Sequence, residues 1–135
     1  MLEDKLNPNL VKALIGTESS FELDPKKNVK AHGLMQIMNS TLRYLCDTKG
    51  EPRNYLIRLT LNELLDPSAN ICSGIRWLFR KKETASAKLK RPASWYETIE
   101  DYKGFLDDIL ANRKYNRKPM EDLDKFYKLL ESQHL

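Results

Sequence analysis

Glu18 is the residue of this sequence best suited to acid–base chemistry. Leu10, Leu14 and Glu18 are spaced i, i+4 and i+8, so on a helix the carboxyl group continues a stripe of leucines. Ser19, Ser20 and the turn-forming residues after them predict that the helix ends here, where its dipole opposes ionisation of a carboxyl. Partial burial acts in the same direction, and a carboxyl that keeps its proton near neutral pH can serve as a general acid. The alternative is that Glu18 simply turns into water where the helix ends.

The helix that carries Glu18 has a clear beginning and is followed by a long loop. Asn7 and Pro8 predict an N-cap followed by a proline at the first helical position. Between Ser19 and Gly33 turn-forming residues predict a loop, and a loop of this length in a compact domain is either functional or a flexible excursion. Gly33 is expected to allow a positive φ or a close backbone approach. Gln36 stands among apolar residues and needs a hydrogen-bonding partner or a ligand if it is buried.

A long helix is predicted in the middle of the chain. It begins with the cap-plus-proline pair Asp66 and Pro67 and is expected to end in the lysines after Arg80. Residues 85–92 then read as a polar, basic connector. The apolar residues at helical spacing that predict the buried side are Ile71, Ile75, Leu78 and Phe79.

Shorter helices account for the rest of the pattern. One is expected after a cap at Asn39 or Ser40, and another after a cap at Ser94 until Gly104 breaks it. Pro119 begins an amphipathic helix at the C-terminal end. The sequence contains no internal repeat and no convincing strand, so the predicted fold class is all-α.

Four motifs follow one another in a fixed order. They are an ES pair at 18–19, a GLMQ box at 33–36, the stretch DPSANICSG at 66–74 and a tyrosine in YKG at 102–104. In this order they resemble the lytic transglycosylase family, the goose-lysozyme-like enzymes that cut peptidoglycan strands. The resemblance implies a single lysozyme-like helical domain over 1–135 with a substrate groove. Its motif-bearing core would span about 8–112, and a C-terminal helix about 119–134.

The resemblance implies a reaction with one carboxyl group and no cofactor or metal. Glu18 would protonate the glycosidic oxygen between N-acetylmuramic acid and N-acetylglucosamine. As a carboxylate it would then take the proton of the muramyl 6-hydroxyl, which closes a 1,6-anhydro ring without water. Other residues implied to bind substrate are Ser19, Met35, Gln36, Asn70 and Tyr102. For each of these a structural role is the alternative, and for Asn70 bracing of the helix or of the groove floor is favoured.

Two departures from the family pattern stand out. Where the family commonly has GAxGLMQ, this chain has Lys30 in place of the first glycine and His32 before the second. We give His32 no catalytic role. The common YNxG becomes Tyr102, Lys103 and Gly104, which removes the asparagine and moves the glycine one residue earlier. This change bears on the geometry around Tyr102 more than on Glu18.

Three rival functions remain open at this point. A hydrolytic muramidase of the same fold would need a second carboxyl, from Glu22 or Asp24 in the loop after Glu18. A glycan-binding or assembly module would keep the groove without turnover. A basic nucleic-acid binder would explain the net charge of +4 but not the ordered motifs.

The positive charge is concentrated in segments 80–91 and 113–118, with the acidic segment 97–108 between them. Such segments are usually solvated helix faces, and the sharper reading is attraction to an anionic cell envelope. No nucleic-acid partner is expected.

The site of action implied by the resemblance is the periplasm or the cell wall. No apolar run approaches the roughly 20 residues of a membrane span, and the first ten residues do not resemble an export signal. The domain would therefore be trimmed, part of a larger envelope, secretion or phage assembly, or delivered by another route. Cys46 and Cys72 either pair or remain as two buried free thiols.

Overall fold

The computed structural model describes residues 5–26, 29–47 and 56–133. Helices dominate these residues, so the all-α prediction is confirmed. In chain order the elements are α1 (Pro8–Ser19), β1 (Ala31–His32), β2 (Ile37–Met38), α2 (Asn39–Leu45), a 3-10 turn (Asn62–Leu65), α3 (Pro67–Leu89), α4 (Trp95–Tyr102), α5 (Leu106–Leu110) and α6 (Lys118–Ser132). The chain forms two compact units, named here the middle unit (Glu18–Arg80) and the terminal unit (Met1–Thr17 with Lys81–Leu135).

Three predicted helix starts are confirmed by their capping hydrogen bonds. The Asn9 amide donates to Asn7 Oδ1 over 2.9 Å at the start of α1. At the start of α3 the Ala69 amide donates to Asp66 Oδ2 over 2.9 Å. Ser94 and Glu97 form a reciprocal capping box at the start of α4. These helices therefore begin where local side-chain chemistry satisfies their first backbone amides.

The prediction for α3 was wrong in two respects. The helix continues to Leu89, through most of the segment that was expected to be a connector. Its buried residues in the middle unit include Asn70, Ser73 and Leu78, whereas Phe79 is exposed. The spacing of apolar residues gave a wrong buried face because small and polar residues of α3, such as Asn70, Ser73 and Gly74, face the interior of the middle unit. A Cβ on Gly74, for example, would overlap the Met35 sulfur, so a larger residue there would displace the Met35 side chain.

A short antiparallel ladder was not predicted. Ala31 pairs with Met38 and His32 with Ile37, so residues 33–36 form the turn of a hairpin. The helix predicted to follow it is present as α2. Its N-cap is Met38, without a side-chain hydrogen bond, and not Asn39 or Ser40. The Asn39 side chain is engaged elsewhere, because its Oδ1 bonds the His32 ring.

Several basic side chains of the terminal unit are paired with the acidic segment. Lys88 contacts both Asp101 and Asp107, at 2.7 and 3.1 Å. Arg91 pairs with Glu97 at 2.6 Å, and Arg113 Nε pairs with Asp108 at 2.9 Å. Part of the two basic segments is therefore held in ion pairs with the acidic segment between them.

The two cysteines are both free thiols. Cys46 is half-buried and Cys72 is exposed, so the expectation of two buried thiols was wrong for Cys72. Among the described residues, no helix is long and apolar enough to cross a membrane.

Candidate active site

Glu18 is the second-last residue of α1, and its side chain is half-buried. Leu14, one turn earlier, is completely buried, and so is Ser19, which ends the helix. The chain then reverses in a turn closed by the Glu22 amide, which donates to the Ser19 carbonyl over 3.0 Å. The two central residues of this turn, Ser20 and Phe21, have positive φ values of 53° and 64°, which is unusual for residues with side chains. The predicted helix end beside Glu18 is thus confirmed, and a constrained turn fixes it.

The GLMQ box forms the turn of the hairpin. Gly33 has a φ of 73° and Gln36 a φ of 49°, and the Gln36 amide donates to the Gly33 carbonyl over 3.1 Å. The Gln36 side chain folds over the same turn, because its Nε2 also donates to the Gly33 carbonyl over 3.0 Å. Within the described parts of the chain its Oε1 has no hydrogen-bond partner, and Gln36 is half-buried. Its amide oxygen is therefore available to a ligand.

Asn70 of α3 braces this hairpin from inside the middle unit. It is completely buried, and its Oδ1 accepts from the Met35 amide over 2.8 Å. Its Nδ2 donates to the His32 carbonyl at 2.9 Å and to the Leu64 carbonyl at 2.7 Å. A Cβ on Gly33 would overlap this amide nitrogen, so only glycine permits the approach. The close backbone approach expected of Gly33 is confirmed, and the contacts of Asn70 are those of a brace.

Met35 lies in the core beneath the hairpin. Its side chain is completely buried and approaches α3 at Gly74. Leu34 is buried as well, with 8% of its surface exposed. The box therefore directs Leu34 and Met35 inward, while Gln36 keeps part of its side chain accessible. Of the two box residues predicted to line a groove, only Gln36 has an accessible side chain in this structure.

Tyr102 is the last residue of α4 and is half-buried. The helix ends in a Schellman motif, in which the Phe105 amide donates to the Glu100 carbonyl over 2.8 Å and the Gly104 amide to the Asp101 carbonyl over 3.1 Å. Gly104 has the positive φ, 85°, that this motif requires. The displaced glycine of the YKG sequence thus has a defined role at this helix end.

Lys103 is a residue to which sequence reasoning assigned no role. Its Nζ donates to Thr17 Oγ1 over 2.9 Å, a contact between residues 86 positions apart. Thr17 in turn donates to the Leu14 carbonyl over 2.9 Å. The only sequence signal was that Lys103 replaces the asparagine of the common motif. His32, by contrast, bonds Asn39 and so helps to hold the start of α2.

Two adjoining depressions lie along α2 in the middle unit, with volumes of about 560 and about 300 Å³. Both are lined by Arg43 and Cys46, and neither by a predicted site residue. In the described part of the chain no group of three or more His, Cys, Asp or Glu side chains is placed to hold a metal ion.

These observations describe a helical domain whose first helix ends at a half-buried acid and whose GLMQ turn is braced by a buried asparagine. The chain matches the Transglycosylase SLT domain family over residues 1–122. The protein therefore belongs to that family, and it has the family's lysozyme-like helical fold. Membership confirms the resemblance seen in the motifs and implies transglycosylase activity on peptidoglycan. No curated protein and no solved structure matches the chain significantly.

Proposed function

We propose that this protein is a lytic transglycosylase that cleaves the β-1,4 bond between N-acetylmuramic acid and N-acetylglucosamine in peptidoglycan, with Glu18 as acid and then as base. The observation that carries the proposal is the position of Glu18 in a chain of this family. It is half-buried where α1 ends, directly before a completely buried serine. A carboxyl group can donate a proton to a leaving oxygen and, once ionised, accept a proton in the next step.

The proposed reaction needs only one carboxyl group. Protonated Glu18 gives its proton to the glycosidic oxygen while the bond from the anomeric carbon of the muramyl residue breaks, so N-acetylglucosamine leaves as an alcohol. The muramyl 6-hydroxyl then bonds to the anomeric carbon, and its proton passes to the Glu18 carboxylate. The enzyme is thereby restored, one ring closes, and no water is consumed.

The remaining predicted residues have supporting roles in this proposal. Gln36 offers its unpartnered Oε1 to a sugar hydroxyl or amide within reach of the hairpin. Ser19 and Tyr102 are proposed to bind substrate. Asn70 and Met35 act indirectly, because one braces the hairpin and the other fills the core beneath it. The proposed place of action is the periplasm or the cell wall.

Product analysis on purified peptidoglycan tests the proposal. Wild-type protein is expected to release muropeptides with 1,6-anhydro ends, lighter by one water than hydrolytic products. Glu18→Gln is expected to abolish release, because the amide cannot donate or accept the proton, while folding and wall binding persist. Glu121→Gln is the matched control, since Glu121 is exposed on α6.

Other outcomes would assign a different function. Products with reducing ends that disappear in Glu22→Gln or Asp24→Asn would identify a hydrolytic muramidase, since both carboxyls are exposed in the loop after α1. Wild-type protein that binds the wall and releases nothing would identify a glycan-binding module.

A further inference from the structure

We infer that Lys103 is a positioning residue for the candidate acid: it fixes the last turn of α1, which carries Glu18, to the end of α4. The inference rests on the proposed function and extends it to a residue at which this chain departs from the common YNxG motif. The direct observation is the hydrogen bond of 2.9 Å from Lys103 Nζ to Thr17 Oγ1.

The donors and acceptors of this contact are fully determined. The single hydroxyl proton of Thr17 is used on the Leu14 carbonyl, over 2.9 Å. The hydroxyl oxygen must therefore accept from Lys103, whose ammonium group has only donors. Two consecutive hydrogen bonds therefore connect Lys103, through the Thr17 hydroxyl, to the Leu14 carbonyl of α1. Thr17 directly precedes Glu18 in the same helix.

The backbone of Lys103 is held by hydrogen bonds at the end of α4. Lys103 is the C-cap of α4, and the Schellman motif completed by Gly104 and Phe105 fixes the direction of the chain at this point. Two residues earlier, Asp101 is anchored to the second half of α3 through Lys88 and Thr84. The lysine side chain thus extends from a helix end of defined geometry, and its contact with Thr17 orders a long side chain at a cost in conformational entropy.

The charge of Lys103 suits its position. The last turn of a helix exposes backbone carbonyls and favours a nearby cation. An asparagine side chain is much shorter than a lysine side chain and is uncharged. The replacement of asparagine therefore gives this chain a longer and positively charged link to the helix that carries the acid.

A double-mutant cycle on soluble, uncrosslinked glycan strands tests the inference, with kcat and KM measured separately. Lys103→Met keeps the aliphatic stem and removes the donor, and Thr17→Val keeps the shape and removes the acceptor. Each is expected to lower kcat about tenfold and to change KM less than twofold, because small displacements of a catalytic group mainly affect the chemical step. The double variant is expected to lose no more than either single variant.

Conservative variants separate positioning from a general effect on folding. Lys103→Arg and Thr17→Ser keep the donor and the acceptor and are expected to stay within about threefold of wild-type kcat. Lys12→Met is the matched control, because Lys12 is an exposed lysine on α1. Thermal unfolding of every variant is recorded. Where Lys103→Met folds poorly, Thr17→Val decides the result, because it removes the acceptor and leaves Lys103 in place, and an unchanged kcat in this variant overturns the inference.

The possible results are distinguishable. An active wild-type enzyme with a Lys103→Met variant of equal kcat overturns the inference and leaves the proposed function intact. Additive losses in the double variant, or a change confined to KM, also overturn it. A wild-type enzyme that forms no anhydro products refutes the proposed function, and this inference with it.

Discussion

Two buried polar side chains, one in each unit, hold their surroundings in different ways. Asn70 in the middle unit is completely buried, and Asp101 in the terminal unit has 3% of its surface exposed. All three side-chain hydrogen bonds of Asn70 go to backbone groups. Those of Asp101 go to the side chains of Thr84 and Lys88, at 2.9 and 2.7 Å.

The difference follows from the part of the structure that each of these two side chains holds in place. An amide that bonds main-chain groups on the hairpin and before α3 sets the backbone path directly, and it does so without charge. A carboxylate held by a lysine side chain joins two helices through a flexible link whose strength depends on salt and on protonation. The hairpin is therefore held by a neutral brace, whereas the contact of α4 with the second half of α3 at Asp101 depends on charge.

The largest effect is expected for Asn70→Ala. It would leave the Met35 amide and the carbonyls of His32 and Leu64 without their partner inside the fold. Each unsatisfied buried group costs about 1–3 kcal/mol, so the free energy of unfolding should fall by roughly 3 kcal/mol or more. Urea denaturation measures this loss, and a loss below about 1 kcal/mol, or one that changes with salt, would contradict the neutral-brace assignment.

A smaller and salt-dependent effect is expected for Asp101→Asn. The variant keeps an acceptor for Thr84 but loses the charge that faces Lys88 and Lys81. We expect a loss of about 1–2 kcal/mol at low salt, reduced in 1 M NaCl. Urea denaturation at both salt concentrations measures it, and Lys118→Met, at an exposed ion pair of α6, is the control.

The pH dependence of the same variant gives a second check. Burial lowers the pKa of Lys88, but the hydrogen bonds and negative charges of Asp101 and Asp107 outweigh it and raise that pKa. A raised lysine pKa stabilises the fold below the unfolded value of about 10.4 and ceases to do so as pH rises through the folded value. Wild type and Asp101→Asn should therefore converge in stability above this range, and a constant difference would count against the ion pair.

The smallest effects, opposite in sign, are expected for two carboxyls of α4. Hydrogen bonds from Arg91 and from the Ser94 amide lower the pKa of Glu97 to about 2, whereas burial and the nearby charge of Glu97 raise the pKa of Glu100. At pH 7 Glu97→Gln should destabilise by about 1 kcal/mol and Glu100→Gln should stabilise by less than that. Thermal unfolding at pH 7 and pH 3 measures both.

The signs of these two effects follow from linkage. The contribution of Glu97 is present above the unfolded pKa and is lost as pH falls toward about 2. The penalty of Glu100 is relieved as pH falls through its raised pKa. Equal responses of the two variants to acid would refute the different environments assigned to them.

Sequence reasoning succeeded where the cause was local. The caps at Asn7, Asp66 and Ser94 act within three residues, and the positive φ of Gly33 follows from the residue type. The motif order found the family. The roles of Glu18, Ser19 and Tyr102 remain predictions that need measurements of activity.

Sequence reasoning failed where a structural feature is caused by residues that are distant in the chain. The second half of α3 was predicted to be a connector because its lysines are polar. The local sequence does not reveal that Lys88 pairs with Asp101, which lies 13 positions later in the chain. The burial of Met35 depends on the absence of a side chain at Gly74. The two-residue ladder beside the GLMQ turn is too short to produce an alternating pattern.

The reversal after α1 has a consequence for how relatives of this protein can diverge. The turn is complete at Glu22, where its closing hydrogen bond returns to Ser19. Insertions or deletions farther along the loop leave this closure untouched. Loop length is thereby free to vary over evolution while Glu18 keeps its place at the helix end.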